Sequence, residues 1–235
     1  MKKNLMASLA MGLFVVGVVA PVKATTFSID LVDGDWENSV PVPPDVTIVN
    51  SGPAGGLSTA RWGTTTGDQS GYDFSSRVTP FDAESDGTAF ALGTFTHHNF
   101  PIGQPVLDSI EISMTMEDLG IFNLVTTFDF DHDETPNTGG PVNDIVTIAN
   151  PIVNVPFAFD GQDYYFNLFG FSQDGGNTLK TEFSTVEGEA NIAELYARIT
   201  ERPVSIPEPS SVAMLLTGAS GLLGFCRLYR KAHNI

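Results

Sequence analysis

The chain has 235 residues, enough for one sizeable domain once its two unusual ends are set aside. All 28 acids fall between Asp30 and Glu208, where the bases are Arg61, Arg77, Lys180, Arg198 and Arg202, so that stretch stands at about −23. Such a body repels phosphate backbones, which excludes nucleic acid as a partner; it stays soluble and attracts divalent cations. The single cysteine, Cys226, sits near the C-terminus, so no disulfide staples the body and its core must hold itself together, for which 17 Phe and many Val and Ile are available.

Residues 1–24 read as a signal peptide. Lys2 and Lys3 form a positive start, Leu5 to Ala20 is a nearly unbroken apolar run, Pro21 ends it, and Val22-Lys23-Ala24 offers small residues for cleavage after Ala24. The alternative is an uncleaved anchor helix, against which the run is short.

Residues 25–205 form the body, and period-2 alternation dominates it. Phe27, Ile29 and Leu31 alternate with Ser28 and Asp30. Val40 to Gly56, rich in Pro and Gly, reads as a surface loop. Ile110, Ile112, Met114 and Met116 alternate with polar neighbours, as do Phe122, Leu124, Thr126, Phe128 and Phe130. Val155, Phe157 and Phe159 lead through Asp160-Gly161 into Tyr164, Phe166 and Leu168, the pattern of a hairpin. Ala193, Leu195, Ala197 and Ile199 fit a last strand, although Ala190 to Arg198 is also compatible with a helix. The expected fold is all-β, an antiparallel two-sheet sandwich or jelly roll.

Three stretches of the body could carry chemistry. In Thr96-His97-His98-Asn99, adjacent histidines on a strand face opposite ways, so His97 and Asn99 share a face and His98 does not. With Thr96 they suit a hydrogen-bond network at a strand-to-loop corner; the competing readings are a metal ligand and a catalytic imidazole. In Phe128 to Asn137, Asp129, Asp131 and Asp133 share one face of a continuing strand, and something must offset their repulsion: solvent, an arginine or a cation. Ca2+ prefers six to eight such oxygens, yet the spacing lacks the glycine and distal glutamate of an EF-hand loop. A solvated edge, a Ca2+ site and catalytic carboxylates all remain open there. His132 falls on the Phe face, where it packs or caps. Gly139-Gly140-Pro141 lacks the lysine and following helix of a phosphate loop. The chain has no G-x-S-x-G elbow, no H-E-x-x-H and no body cysteine nucleophile, so no enzyme is announced and no cofactor beyond Ca2+ suggests itself.

Residues 206–235 form a three-part tail. Ile206-Pro207-Glu208-Pro209 is stiff and extended, residues 212–226 are apolar and just long enough to enter a bilayer, and Arg227, Arg230 and Lys231 follow. The alternative is a plain membrane anchor. This tail resembles a PEP-CTERM sorting signal, with Pro207, Glu208 and Pro209 as its motif. The resemblance implies processing by a membrane exosortase, a transient inner-membrane precursor, and a Gram-negative host that makes exopolysaccharide.

Within the body, Thr96-His97-His98-Asn99 followed by Phe100-Pro101-Ile102 resembles the signature of the THxN family of PEP-CTERM proteins, with Thr96, His97 and Asn99 as the motif. Phe130 to Asn137, Asp144 to Thr147, Phe169-Gly170-Phe171 and Ala197 to Thr200 agree with that pattern. The resemblance implies a choice-of-anchor extracellular domain, displayed on the cell surface or in the matrix, and it brings no catalytic residues. The expected function is a non-enzymatic adhesion or exopolysaccharide-associated module. The alternatives are a secreted hydrolase using His97 with an acid from Asp129 to Glu134, and a Ca2+-dependent carbohydrate-binding module.

Overall fold

The computed structural model describes residues 24–52, 56–118, 122–135, 143–151 and 154–202. The expected leader up to Lys23, the sorting tail with Pro207, Glu208 and Pro209, and the stretch from Pro136 to Val142 lie outside these residues. Among the described residues no helix is long and apolar enough to cross a membrane.

The chain runs as β1 (Thr26–Ile29), β2 (Leu31–Val40), β3 (Val46–Val49), β4 (Leu57–Trp62), β5 (Ser70–Ser76), β6 (Phe81–Glu84) and β7 (Asp86–Asn99). It continues as β8 (Ser109–Asp118), β9 (Phe122–Asp133), β10 (Asp144–Ile148), β11 (Val155–Phe159), β12 (Gln162–Ser172), β13 (Glu182–Thr185) and β14 (Glu189–Glu201). A seven-stranded sheet has the order β11-β12-β14-β7-β5-β4-β3, and a five-stranded sheet the order β13-β10-β9-β8-β2. The ribbon β1-β6 completes the set, and every pairing is antiparallel. The all-β, sandwich-type body anticipated from the alternation is therefore what the chain forms.

The alternation explains which faces meet. On β8, Ile110, Ile112, Met114 and Met116 are buried, and on β9 so are Leu124, Phe128 and Phe130. On β12 and β14 the buried set is Tyr164, Phe166, Leu168, Ala193, Leu195, Ala197 and Ile199. Rings interlock across the gap between sheets. Phe95 of β7 stacks on Phe130 at 5.7 Å between centroids, Phe128 lies 6.2 Å from Phe166, and Trp36 of β2 lies 5.7 Å from Tyr72 of β5. Burial of one Phe contributes about 1.5–3 kcal/mol, against about 2–4 kcal/mol for a disulfide. Two buried rings thus replace a disulfide, and Phe27, Phe74, Phe95, Phe128, Phe130 and Phe166 are all fully buried. A core of this kind needs no cysteine.

The predicted hairpin is present, with Val155 opposite Phe166 and Phe159 opposite Gln162. Its turn residues Asp160 and Gly161 both take positive φ, 48° and 76°, the paired left-handed geometry of a tight hairpin turn. Two expectations are corrected. The first strand does not run through Leu31: Asp30 interrupts it, with β1 pairing to β6 and β2 to β8. Val40 to Gly56 is not wholly loop, because Val46 to Val49 pairs with β4 and buries Val46 in the core. The expected last strand is present as β14, whose alternating face closes against β7 and β12, so the helical alternative for Ala190 to Arg198 falls away.

Candidate functional site

The ends of four strands converge at one place between the sheets. The seven-stranded sheet contributes the C-terminal end of β7, where His97 pairs with Tyr72 of the neighbouring β5. The five-stranded sheet contributes the end of β9, the start of β10 and the end of β13, with Val146 opposite His132 and Asp144 opposite Thr185. Period-2 geometry then sends His97 and Asn99 inward, toward His132, Asp144 and Thr185. His97, Asn99, Asp144 and Thr185 are each 0% exposed. His98 faces the other way and meets Asp73 at 2.8 Å, which in turn pairs with Arg61 at 2.6 Å.

Thr185 ties the cluster together. Its hydroxyl donates to the carbonyl oxygen of Asp144 at 3.3 Å. Having spent its one proton, it accepts from His97 Nδ1 at 2.8 Å and, more weakly, from Asn99 Nδ2 at 3.4 Å. Asn99 Nδ2 also donates to the Thr185 carbonyl at 3.2 Å. With the Thr185 proton directed to the Asp144 carbonyl, His97 carries its hydrogen on Nδ1 and its lone pair on Nε2. Burial, reinforced by the neighbouring His132 and His98, holds the pKa of His97 well below the usual imidazole value, so the ring is neutral.

His132 is held from both sides. Its Nε2 lies 3.1 Å from Glu134 Oε2, and its Nδ1 lies 2.6 Å from the Tyr72 hydroxyl. Trp62 packs edge-on against His132 at 5.4 Å and stacks beside His97 at 6.1 Å, and the two imidazoles stand perpendicular with centroids 5.1 Å apart. Asp144 Oδ1 accepts from both the backbone N–H and the hydroxyl of Thr135 at 2.8 Å. Burial pushes the Asp144 carboxyl up, and Glu134 adds to that. Glu187 is pushed up to about 7 by burial, then by Asp144 and Glu134. The same two carboxylates, after burial, raise the Tyr72 hydroxyl well above its ordinary value.

The motif residues divide accordingly. His97 and Asn99 form a buried network as their shared face suggested, but Thr96 lies on the opposite face and takes no part in it. Its backbone sits opposite Asp73 and Ile192 in the sheet. His132 packs on the Phe face, as read from the sequence. Asp129, Asp131 and Asp133 do share the other face of β9, where Asp131 and Asp133 are exposed and Asp129 is half-buried. Asp129 lies opposite Glu111, and burial together with Glu111 and Asp131 raises its carboxyl. The carboxylates nearest His97 are instead Asp144 and, through His132, Glu134. Local sequence hid the roles of Asp144 and Thr185, because His97 and Thr185 lie 88 residues apart and meet only through sheet packing.

Compared with known proteins, the chain matches no family model and no curated protein.

Proposed function

We propose that this chain is an exported envelope protein of the THxN type, whose body serves the cell surface or exopolysaccharide matrix as a non-enzymatic adhesion module. The observation that carries the reading is the bracketing of an acidic, cysteine-free β body by two processing signals: the leader at 1–24 and the Pro207-Glu208-Pro209 tail at 206–235. The exosortase-type enzyme is its processing partner, and the tail holds the precursor in the inner membrane only transiently.

The burial of the family motif supports a structural role for it. His97 and Asn99 are sealed between the sheets, where substrate has no access to them, and they bond to a threonine of the opposite sheet. The hydrolase alternative needs His97 and an acid from Asp129 to Glu134 to share an open cleft. Asp129, Asp131 and Asp133 face outward, and although Glu134 turns inward to His132, His97 is fully buried and opens on no cleft. The outward stripe is the feature that favours Ca2+-dependent binding of an acidic polysaccharide as a second reading, because a cation bridging protein and polymer would offset the raised, like-charged Asp129.

Expression of the full chain in an exosortase-bearing Gram-negative host, compared with an exosortase deletion and with Glu208→Ala, tests the sorting. The expected result is a protease-accessible body in the surface or matrix fraction of the parent, and a longer, membrane-retained form in the other two. Full-length protein in the cytoplasm of all three would sink the reading. Co-sedimentation of the surface-released protein with purified exopolysaccharide, with and without Ca2+, separates the two binding modes.

A further inference from the structure

The structure assigns a metal site to the buried cluster: we propose that His97, His132 and Asp144 bind one divalent ion of the Zn2+ class between the two sheets, with Glu134 completing the donor set. The inference stands on the interior geometry and is independent of the sorting reading.

The donor atoms are already gathered. His97, His132 and Asp144 each bring one ligand atom to within 4.8 Å of the others, and all three residues are buried. Glu134, Asp144 and Glu187 meet the same condition, so Asp144 is common to both groups. Tetrahedral Zn2+ with bonds of about 2.0–2.1 Å sets its donors roughly 3.3 Å apart.

The donor atoms also want a partner. His97 Nε2, Asp144 Oδ2, Glu134 Oε1 and Asn99 Oδ1 are all buried with no hydrogen-bond partner. Such atoms are expensive to leave unmatched, and natural interiors rarely do so. All of these oxygens are acceptors, and the proton placement around Thr185 makes Nε2 an acceptor too. His97 and Asp144 belong to one gathered group and Asp144 and Glu134 to the other, and unmatched acceptors so placed call for a centre of positive charge. A single water donates only two hydrogens and cannot satisfy them all.

The groups that hold the donor side chains are placed as they are around a bound metal. His97 Nδ1–H is oriented by the Thr185 hydroxyl, which leaves Nε2 free to ligate. His132 can ligate through one nitrogen while Tyr72 or Glu134 keeps the other. Asp144 is steadied by the two Thr135 bonds on Oδ1, with Oδ2 left over. Two imidazoles with carboxylate suit Zn2+ and its first-row neighbours; Ca2+ takes oxygen ligands and has little use for imidazole nitrogen. The ion would clamp β7 of one sheet to β9 and β10 of the other, where many exported domains use a disulfide.

The test uses the full chain purified from membranes in detergent, stripped of metal and then titrated with Zn2+ or Co2+. The expected result is one ion per chain, a Co2+ visible spectrum of tetrahedral type, and a Zn-edge X-ray absorption shell of two nitrogens plus carboxylate oxygen. Asp144→Asn and His97→Gln should abolish stoichiometric binding. Thr185→Val, which removes no proposed ligand but takes away the hydroxyl that orients His97, should weaken it about 10- to 100-fold. Asp131→Asn should leave it unchanged. The absorption measurement needs only the wild-type chain, so it decides the matter even where a variant fails to fold. The proposal is overturned if the folded wild-type chain binds no Zn2+ or Co2+. It is equally overturned if the absorption shell contains only oxygen, or if Asp131→Asn removes the binding while Asp144→Asn spares it.

Discussion

Replacing Thr185 with valine removes one hydroxyl and almost nothing else. The two side chains are nearly the same size, so packing at the end of β13 is preserved and only polar contacts change. Three contacts vanish: the 2.8 Å bond from His97 Nδ1, the 3.4 Å bond from Asn99 Nδ2, and the 3.3 Å donation to the Asp144 carbonyl. The latter two are long, and Asn99 keeps its bond to the Thr185 carbonyl at 3.2 Å. The cost therefore rests on His97 Nδ1–H, left buried and unmatched at 0% exposure. An orphaned buried donor costs about 1–3 kcal/mol, and the weaker losses bring the total to roughly 2–3 kcal/mol. At about 2–4 °C per kcal/mol for a domain of this size, Tm should fall by roughly 4–12 °C. Trp36 and Trp62, the two tryptophans of the chain, are both buried and report unfolding by fluorescence. Thr47→Val, on an exposed face of β3, is the control and should stay within about 0.5 kcal/mol of wild type. A Thr185→Val chain as stable as that control would refute the claim that the motif locks the sheets together.

Other positions give independent checks. Phe95→Ala empties a site walled by Tyr72 at 4.9 Å, Phe171 at 5.1 Å and Phe130 at 5.7 Å, and should cost about 3–5 kcal/mol in denaturant unfolding. Gly34→Ala would set a Cβ 2.5 Å from Phe74 Cδ1 and 2.9 Å from Ile112 Cδ1, so overpacking should cost about 1–3 kcal/mol, with full wild-type stability as the contrary result. Asp33 is buried on β2, and burial followed by Asp35 raises its carboxyl above the unfolded value of 3.8. A raised carboxyl penalises the folded state while ionised, and the penalty disappears as pH falls through the folded pKa. Asp33→Asn should therefore be more stable than wild type at pH 7, and the gap in Tm should narrow toward pH 4; a gap that widens on acidification would contradict this.

The sheets were legible wherever one face is apolar and the other polar. Ile110 to Met116 and Leu124 to Phe130 alternate cleanly because β8 and β9 turn one face to the core and the other outward. The Asp160-Gly161 turn was legible for a different reason, the residue preference of left-handed backbone. β2 was hidden because Asp33, Gly34 and Asp35 read as loop chemistry. Asp33 is buried there with Ser51 donating to it, and Gly34 is needed where Phe74 crosses closely. β3 was hidden among the prolines of Val40 to Gly56, where a short pairing with β4 overrides a loop-like composition. For the site, the inward pairing of His97 with Asn99 followed from strand period alone. Their partners did not, because Thr185, His132 and Asp144 lie on the opposite sheet and no local signal marks such long-range neighbours.

The most direct measurement of the account is the intact mass of the polypeptide recovered from the surface fraction of an exosortase-bearing host. The expected product is a chain that begins at Thr25 and lacks the apolar segment 212–226. A mass matching all 235 residues, or a chain that keeps either apolar end, would contradict it.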